Sequence, residues 1–178
     1  TLEQLTNATG YIEQLELDSI CNIEVLNGFT IPTLEEVMNL IDGRVVLNIE
    51  LKGAQTALLT NALLQEYFKK EVWSPDKILI SSFNWEELRL FHGVNTEVPI
   101  AVLTEDDPLD AIPVAKSLNA VAINPNFKSL NKDNVSKIKE ASLQLFPWTV
   151  NQPEDIAALI DLGVDGIITD FPERVPKK

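Results

Sequence analysis

Residues 45–52 read VVLNIELK, from Val45 to Lys52, and the fold follows from how this stretch is read. β-Branched and aliphatic residues dominate it, and Asp42-Gly43 just upstream is a turn signal, so it reads as a β-strand. Alternate side chains of a strand point to opposite faces. Val46, Asn48, Glu50 and Lys52 therefore share one face, and Leu47, Ile49 and Leu51 share the other. The second face is wholly apolar, whereas the first becomes charged toward its carboxyl end. Carboxylates and lysines are rarely buried unless paired or bound to a metal. A strand that is apolar outward and carries Glu50 and Lys52 inward suits the inside of a parallel barrel near its catalytic rim. In that architecture the carboxyl ends of the strands do the chemistry.

On either side of this strand the pattern is regular. Thr33 followed by Glu36 predicts a capping box that opens a helix over 34–41. A helix over 54–71 has Lys69 and Lys70 in its last turn, where they complement the helix dipole. A strand over 77–82 follows, then Asn84 with Glu87 as the cap of a helix ending at Gly93. Next come a strand over 100–103 and a short helix from Asp107-Pro108 to Leu118. A strand over 120–123 ends in Asn124-Pro125, Asn131 caps a helix over 132–141, and a strand over 143–150 follows. Pro147 within that strand removes a ladder N–H and predicts a bulge or break beside Trp148. Asn151 with Glu154 is expected to cap a helix that Gly163 ends, and 166–170 is the last strand. Residues 1–30 read as turns and a short helix, with Leu15, Leu17, Ile20 and Ile23 as one amphipathic turn.

The expectation is six strands, each reached through a helix. Strict alternation with short loops predicts an α/β fold with a parallel sheet, either doubly wound or a (β/α)8 barrel. Pattern alone leaves both open. No G-x-G-x-x-G follows the first strand and no P-loop occurs, which argues against nucleotide binding.

Length and composition set further bounds. The 178 residues are 45% hydrophobic with a mean hydropathy near zero, as expected for one globular domain over 1–178. No apolar run has the length of a transmembrane segment. The opening TLEQLTNATGYIEQ is neither basic nor apolar and does not read as a signal peptide. Lys and Arg number 14 against 27 Asp and Glu, a formal charge of −13, which argues against nucleic acid or an anionic membrane as partner. Lys69-Lys70 and Lys177-Lys178 read as a helix end and a solvated tail. The single cysteine, Cys21, forms no internal disulfide, and the compartment stays open.

Three stretches, IPTLEEVMNLIDGRVVLNIELK (31–52), ILISSFNWEELRLF (78–91) and PWTVNQPEDIAALIDLGVDGIITDFPERV (147–175), closely resemble glycerophosphodiester phosphodiesterases. The opening TLEQLTNATG resembles the family's turn after its second catalytic histidine. The resemblance covers the whole chain in order. It implies a (β/α)8 barrel that hydrolyses a small-molecule glycerophosphodiester to glycerol 3-phosphate and an alcohol. It also implies a divalent metal, calcium or magnesium, with Glu50 as a ligand, Lys52 near the phosphate, and Phe83 and Trp148 lining the cleft. Hard oxygen donors suit such a cation, which offsets phosphate charge.

The same resemblance implies groups that this sequence lacks: a His-Arg after strand one, a Glu-x-Asp pair on strand two, and a second histidine just before the position of Thr1. The histidines are the family's general acid and base, so the chain is expected to hold strands 3 to 8 of the barrel and to be inactive alone. A complete barrel has roughly 250 residues. A missing N-terminal segment or a partner chain is expected to cover the open sheet edges. His92, at a helix end before Gly93, reads as an outer-ring residue favoured by the helix dipole. Glu50 has a plainer reading too, as an ion pair with Lys52, because α-carbons two apart on a strand lie roughly 7 Å apart. Trp148 and Phe83 also read as core or strand-end residues, and Asp170 as part of an ordinary Asp-Phe-Pro turn. Two other functions fit the pattern. One is a non-catalytic remnant serving as a binding or assembly module; the other is a different phosphate-handling barrel that uses 163–170.

Overall fold

The structure, a computed structural model, describes residues 2–25 and 28–176. Thr1, Leu26, Asn27 and the expected Lys177-Lys178 tail lie outside the described residues. The chain divides into two compact units, Thr1–Val45 and Val46–Lys178.

The first unit holds a short helix α1, Leu17–Cys21, an antiparallel hairpin β1 (Glu24–Val25) and β2 (Phe29–Thr30), and helix α2, Leu34–Ile41. The sequence pattern missed the hairpin, whose strands are two residues each. Of the four apolar residues expected to pack as one turn, only Ile23 is buried, and Leu17 is exposed. Helix α2 starts as expected. The Thr33 hydroxyl accepts the Glu36 N–H at 3.2 Å, and the Glu36 carboxylate accepts the Thr33 N–H at 2.8 Å. These bonds to the ionised form hold the Glu36 carboxyl below its ordinary pKa.

The second unit alternates strand and helix. Its strands are β3 Leu47–Glu50, β4 Ile78–Ser82, β5 Ile100–Thr104, β6 Ala122–Pro125 and β7 Gln144–Leu145. Its helices are α3 Thr56–Lys69, α4 Trp85–Val94, α5 Ala111–Ser117, α6 Lys132–Glu140 and α7 Pro153–Leu162. All strand pairs are parallel and the order is β3-β4-β5-β6-β7. A doubly wound sheet reverses its order at a switch point. No reversal occurs here, so the fold is α/β of the (β/α)8 type, with its sheet open. Ile78, Ile80, Ile100 and Val102 are fully buried, as are Leu64, Leu88, Phe91 and Ile138 on the helices. Among the described residues no helix is long and apolar enough to cross a membrane.

Among the described residues the sheet has five strands, not six, and Pro147 is the reason. The N–H groups of Gln144, Phe146 and Trp148 donate in alternation to Val121, Ile123 and Pro125 of the β6 side. The intervening position faces residues 166–170, and there proline has no N–H to give. The last segment is consequently held by isolated bonds: Ile168 N–H to Pro147 O at 2.9 Å and Val150 N–H to Ile168 O at 2.9 Å. The break expected beside Trp148 is present, and it ends β7 after two residues.

Two expected caps differ. Helix α7 has Pro153 in its first turn and Gln152 at its N-cap, without a side-chain bond. Asn151 instead ties down the last segment, accepting from Asp170 N–H at 3.0 Å and the Thr169 hydroxyl at 3.1 Å. Asn84 caps α4 through the Glu86 N–H, but Glu87 does not reach back to complete a box.

Candidate functional site

The inner face of β3 presents Asn48 and Glu50, and the chain continues that alternation to Lys52. Register pairs Glu50 with Ser81 of β4, so these side chains stand side by side on the inner face. Phe83 follows directly after β4, and Trp148 lies beyond the β7 break, bridged to Asn126. Glu50, Lys52, Phe83 and Trp148 line one cavity of ≈ 310 Å³, together with Asn48 and Ser81. All four site residues expected from the sequence therefore come together.

The charged pair is loose. Lys52 Nζ lies 3.7 Å from the Glu50 carboxylate, with the lysine side chain 78% exposed and the glutamate side chain 31%. The ion-pair reading of Glu50 is thus realised, yet the ammonium remains free to meet a ligand. The aromatic wall is firmer. Phe83 and Trp148 meet edge to face, ring centroids 5.2 Å apart at 87°, and Trp148 Nε1–H donates to the Asn124 carbonyl at 2.8 Å. Beyond Phe83 a second hollow of ≈ 250 Å³ is rimmed by Glu105, Asp106, Asp107 and Asp110.

Supporting residues escaped the sequence reading. Glu87 on α4 is buried, and its carboxylate accepts Gln55 N–H at 2.7 Å and Ala57 N–H at 2.9 Å. It caps α3, whose own N-cap Gln55 makes no side-chain bond, and so fixes the helix that follows the Glu50-Lys52 strand. Asn48, Ser81 and Asn124 line the barrel interior. Period-two alternation placed Asn48 on the inner face, but nothing local marks Ser81 or Asn124 as inward.

Among the described residues no group of three or more His, Cys, Asp or Glu is arranged to hold a metal ion. Calcium takes six to eight oxygen ligands, and magnesium about six. A lone Glu50 already facing Lys52 does not satisfy either, so the residues present do not make the expected metal site by themselves. His92 lies in the last turn of α4 and is not in the cavity wall. Asp170 is held in its turn by Asn151 Nδ2–H at 2.8 Å.

Residues 1–174 match the model of the glycerophosphoryl diester phosphodiesterase family. A glycerophosphodiester phosphodiesterase from Caldanaerobacter subterraneus subsp. tengcongensis is 32% identical over 98% of this chain and 75% of its own length. One from Bacillus altitudinis is 32% identical over 99% of this chain and 76% of its own. Among solved structures, an Oleispira antarctica phosphodiesterase in complex with its product sn-glycerol-3-phosphate superposes with a TM-score of 0.84 at 23% identity, over 98% of this chain and 74% of that one. That last likeness bears on the fold.

Proposed function

The chain belongs to the glycerophosphoryl diester phosphodiesterase family, and from that premise we propose that the complete protein hydrolyses glycerophosphodiesters to glycerol 3-phosphate and an alcohol. The observation that carries this reading is the convergence of Glu50, Lys52, Phe83 and Trp148 on one cavity. The exposed Lys52 ammonium meets a phosphate oxygen and offsets charge that builds on the phosphoryl group. The Phe83–Trp148 wall orients the ligand and keeps water from one side of it. A divalent cation, calcium or magnesium, belongs to the reading, and when bound it neutralises phosphate charge and polarises phosphorus. Glu50 is the donor this chain offers it, and the other donors come from groups outside this sequence.

Departure of an alkoxide also needs a proton. The sequence has one histidine, His92, which is not among the residues of the cavity wall, so the acid–base pair likewise comes from elsewhere and the 178-residue chain alone is inactive. Residues 1–178 then act as one piece of a single barrel domain. Among the described residues strand β3 pairs on one side only, with β4, which supports a complementing segment, whether an N-terminal extension or a partner chain. The same free edge favours a second reading, a non-catalytic binding or assembly module.

The test is turnover of glycerophosphocholine with calcium or magnesium. The isolated chain is expected to show none. A form extended by, or mixed with, a segment carrying the His-Arg, Glu-x-Asp and second histidine is expected to turn over, and K52A to lower that rate at least ~100-fold. Robust metal-dependent turnover by the isolated chain would overturn the proposal that its acid–base groups are missing. A folded but inactive complemented form would favour the module.

A further inference from the structure

The hollow of ≈ 250 Å³ beside the cleft carries a second set of groups. Phe83 and Leu103 belong to both walls, so the two spaces adjoin. The hollow opens where β5 ends, on the rim at which a (β/α)8 barrel holds its ligands. Its lining has four carboxylates, Glu105, Asp106, Asp107 and Asp110, and no basic side chain. Two of the four are engaged: Glu105 accepts from Asn126 Nδ2–H at 3.2 Å, and Asp107 from Leu109 N–H at 2.9 Å. Asp106 and Asp110 have no side-chain partner among the described residues. Lys137 feels the Asp107 charge, but its ammonium is bonded to Asp133 at 2.7 Å.

Acidic loops are common on a solvated surface, and it is Thr104 that asks for a ligand here. The last residue of β5, it lines the hollow with only 6% of its surface exposed. Its hydroxyl makes no hydrogen bond among the described residues. The unpartnered atoms of Ser81 and Asn124 are sealed from any surface, whereas the Thr104 hydroxyl is not. Buried hydroxyls in native proteins are nearly always bonded to protein, water or ligand. Set among carboxylates, this one suits a donor that also carries positive charge. The carboxylates do not converge as a metal ion requires, and the remaining wall is aromatic, from Phe83 and Trp85. Trp85 Nε1–H is committed to the Leu103 carbonyl at 2.9 Å, so it adds no competing donor. Aromatic surface beside carboxylates suits an organic cation. A quaternary ammonium has no N–H to give the hydroxyl, whereas a primary ammonium has three.

We infer that this hollow takes the primary ammonium of an amino-alcohol group on the diester, with Thr104 accepting an N–H and Asp106 and Asp110 balancing its charge. The inference rests on the phosphodiester reading of the cleft, where Lys52 meets the phosphate. Thr104 is a specificity residue: it sets a primary ammonium above a quaternary one, and the carboxylates set both above a neutral alcohol.

The experiment is an NMR titration of the 178-residue chain at low ionic strength. The probes are glycerophosphoethanolamine, glycerophosphocholine and glycerophosphoglycerol, which differ only in the alcohol. The indole N–H of Trp148 reports the cleft and that of Trp85 the hollow, while Trp73, buried and in neither wall, is the control. All three esters are expected to move Trp148, and only the two cationic ones to move Trp85. The ethanolamine ester is expected to half-saturate at roughly tenfold lower concentration than the glycerol ester, and about threefold lower than the choline ester. Thr104→Val removes the hydroxyl at nearly constant shape, and is expected to bring the ethanolamine ester level with the choline ester. Loss of an unpartnered hydroxyl is near neutral, so the melting temperature is expected to hold. Asp106→Asn with Asp110→Asn is expected to bring both cationic esters level with the glycerol ester. Both side chains are exposed, so this pair carries the test should Thr104→Val not fold. Esters that move Trp148 but never Trp85, a choline ester bound as tightly as the ethanolamine ester, or a preference untouched by the variants each overturn the inference and leave the cleft reading standing. If no ester moves Trp148, the phosphodiester reading fails and the inference with it.

Discussion

The carboxylate of Glu87 accepts the Gln55 and Ala57 N–H groups at 2.7 and 2.9 Å with only 4% of the residue exposed. A negative group at a helix start satisfies orphan donors and is favoured by the dipole. Hydrogen bonds to a charged group contribute roughly 1.5–3 kcal/mol. Glu87→Ala is therefore expected to lower the unfolding free energy by about that amount in urea titration, and Glu87→Gln, which keeps one acceptor, by less. Lys52 makes the opposite case. Its pair with Glu50 is open to solvent at 3.7 Å, and such pairs contribute about 0–1 kcal/mol. Lys52→Ala is expected to leave urea stability nearly unchanged while lowering turnover by the complemented form at least ~100-fold. Alternation along one strand was enough to find Glu50 and Lys52. Glu87 sits at a position that fits a capping box with Asn84, and only the packing of α4 beside α3 turns it to another helix.

At the scale of elements, local chemistry is legible where it is self-contained. Thr33 and Glu36 cap α2 because both partners lie within one turn. Glu36 is held below its ordinary pKa by the Thr33 N–H and hydroxyl, so its contribution is present above the usual glutamate value, about 4.3, and is lost as pH falls through the lowered one. Accordingly, Glu36→Gln is expected to be less stable than wild type at neutral pH, with the two melting temperatures converging in acid. Asn151 illustrates the limit. Its spacing to Glu154 imitates a cap, but Pro153 at the helix start moves the boundary, and the freed amide bonds a segment nineteen residues away. The last segment itself was legible as extended chain but not as one held by isolated bonds, because the missing donor of Pro147 acts across strands. Gly166 lies there for a steric reason. A Cβ would sit 2.9 Å from the Phe146 ring, so Gly166→Ala is expected to cost about 1–3 kcal/mol, read as a lower melting temperature.

For the whole molecule, the alternation of strands and helices conveyed the fold class, while the choice between barrel and doubly wound sheet needed strand order. The cavity was legible only through its rim residues, since the interior groups Ser81 and Asn124 acquire meaning from register between strands. Among the described residues strand β3 pairs only with β4. Its amides are expected to exchange fast in the isolated chain and to gain protection when a complementing segment pairs with it, as measured by hydrogen–deuterium exchange. The Phe83–Trp148 contact carries a consequence for such experiments. Strands β4 and β7 are three places apart, roughly 14 Å in a flat sheet at about 4.8 Å per step, yet these rings following them touch at 5.2 Å. They meet only because the sheet bends, so the indole of Trp148 is a native ruler of curvature. In a variant with Trp73 and Trp85 replaced by Phe, its emission is expected to shift if the wall flattens and to hold steady if only β3 frays, which separates loss of the cleft from loss of its edge without any added label.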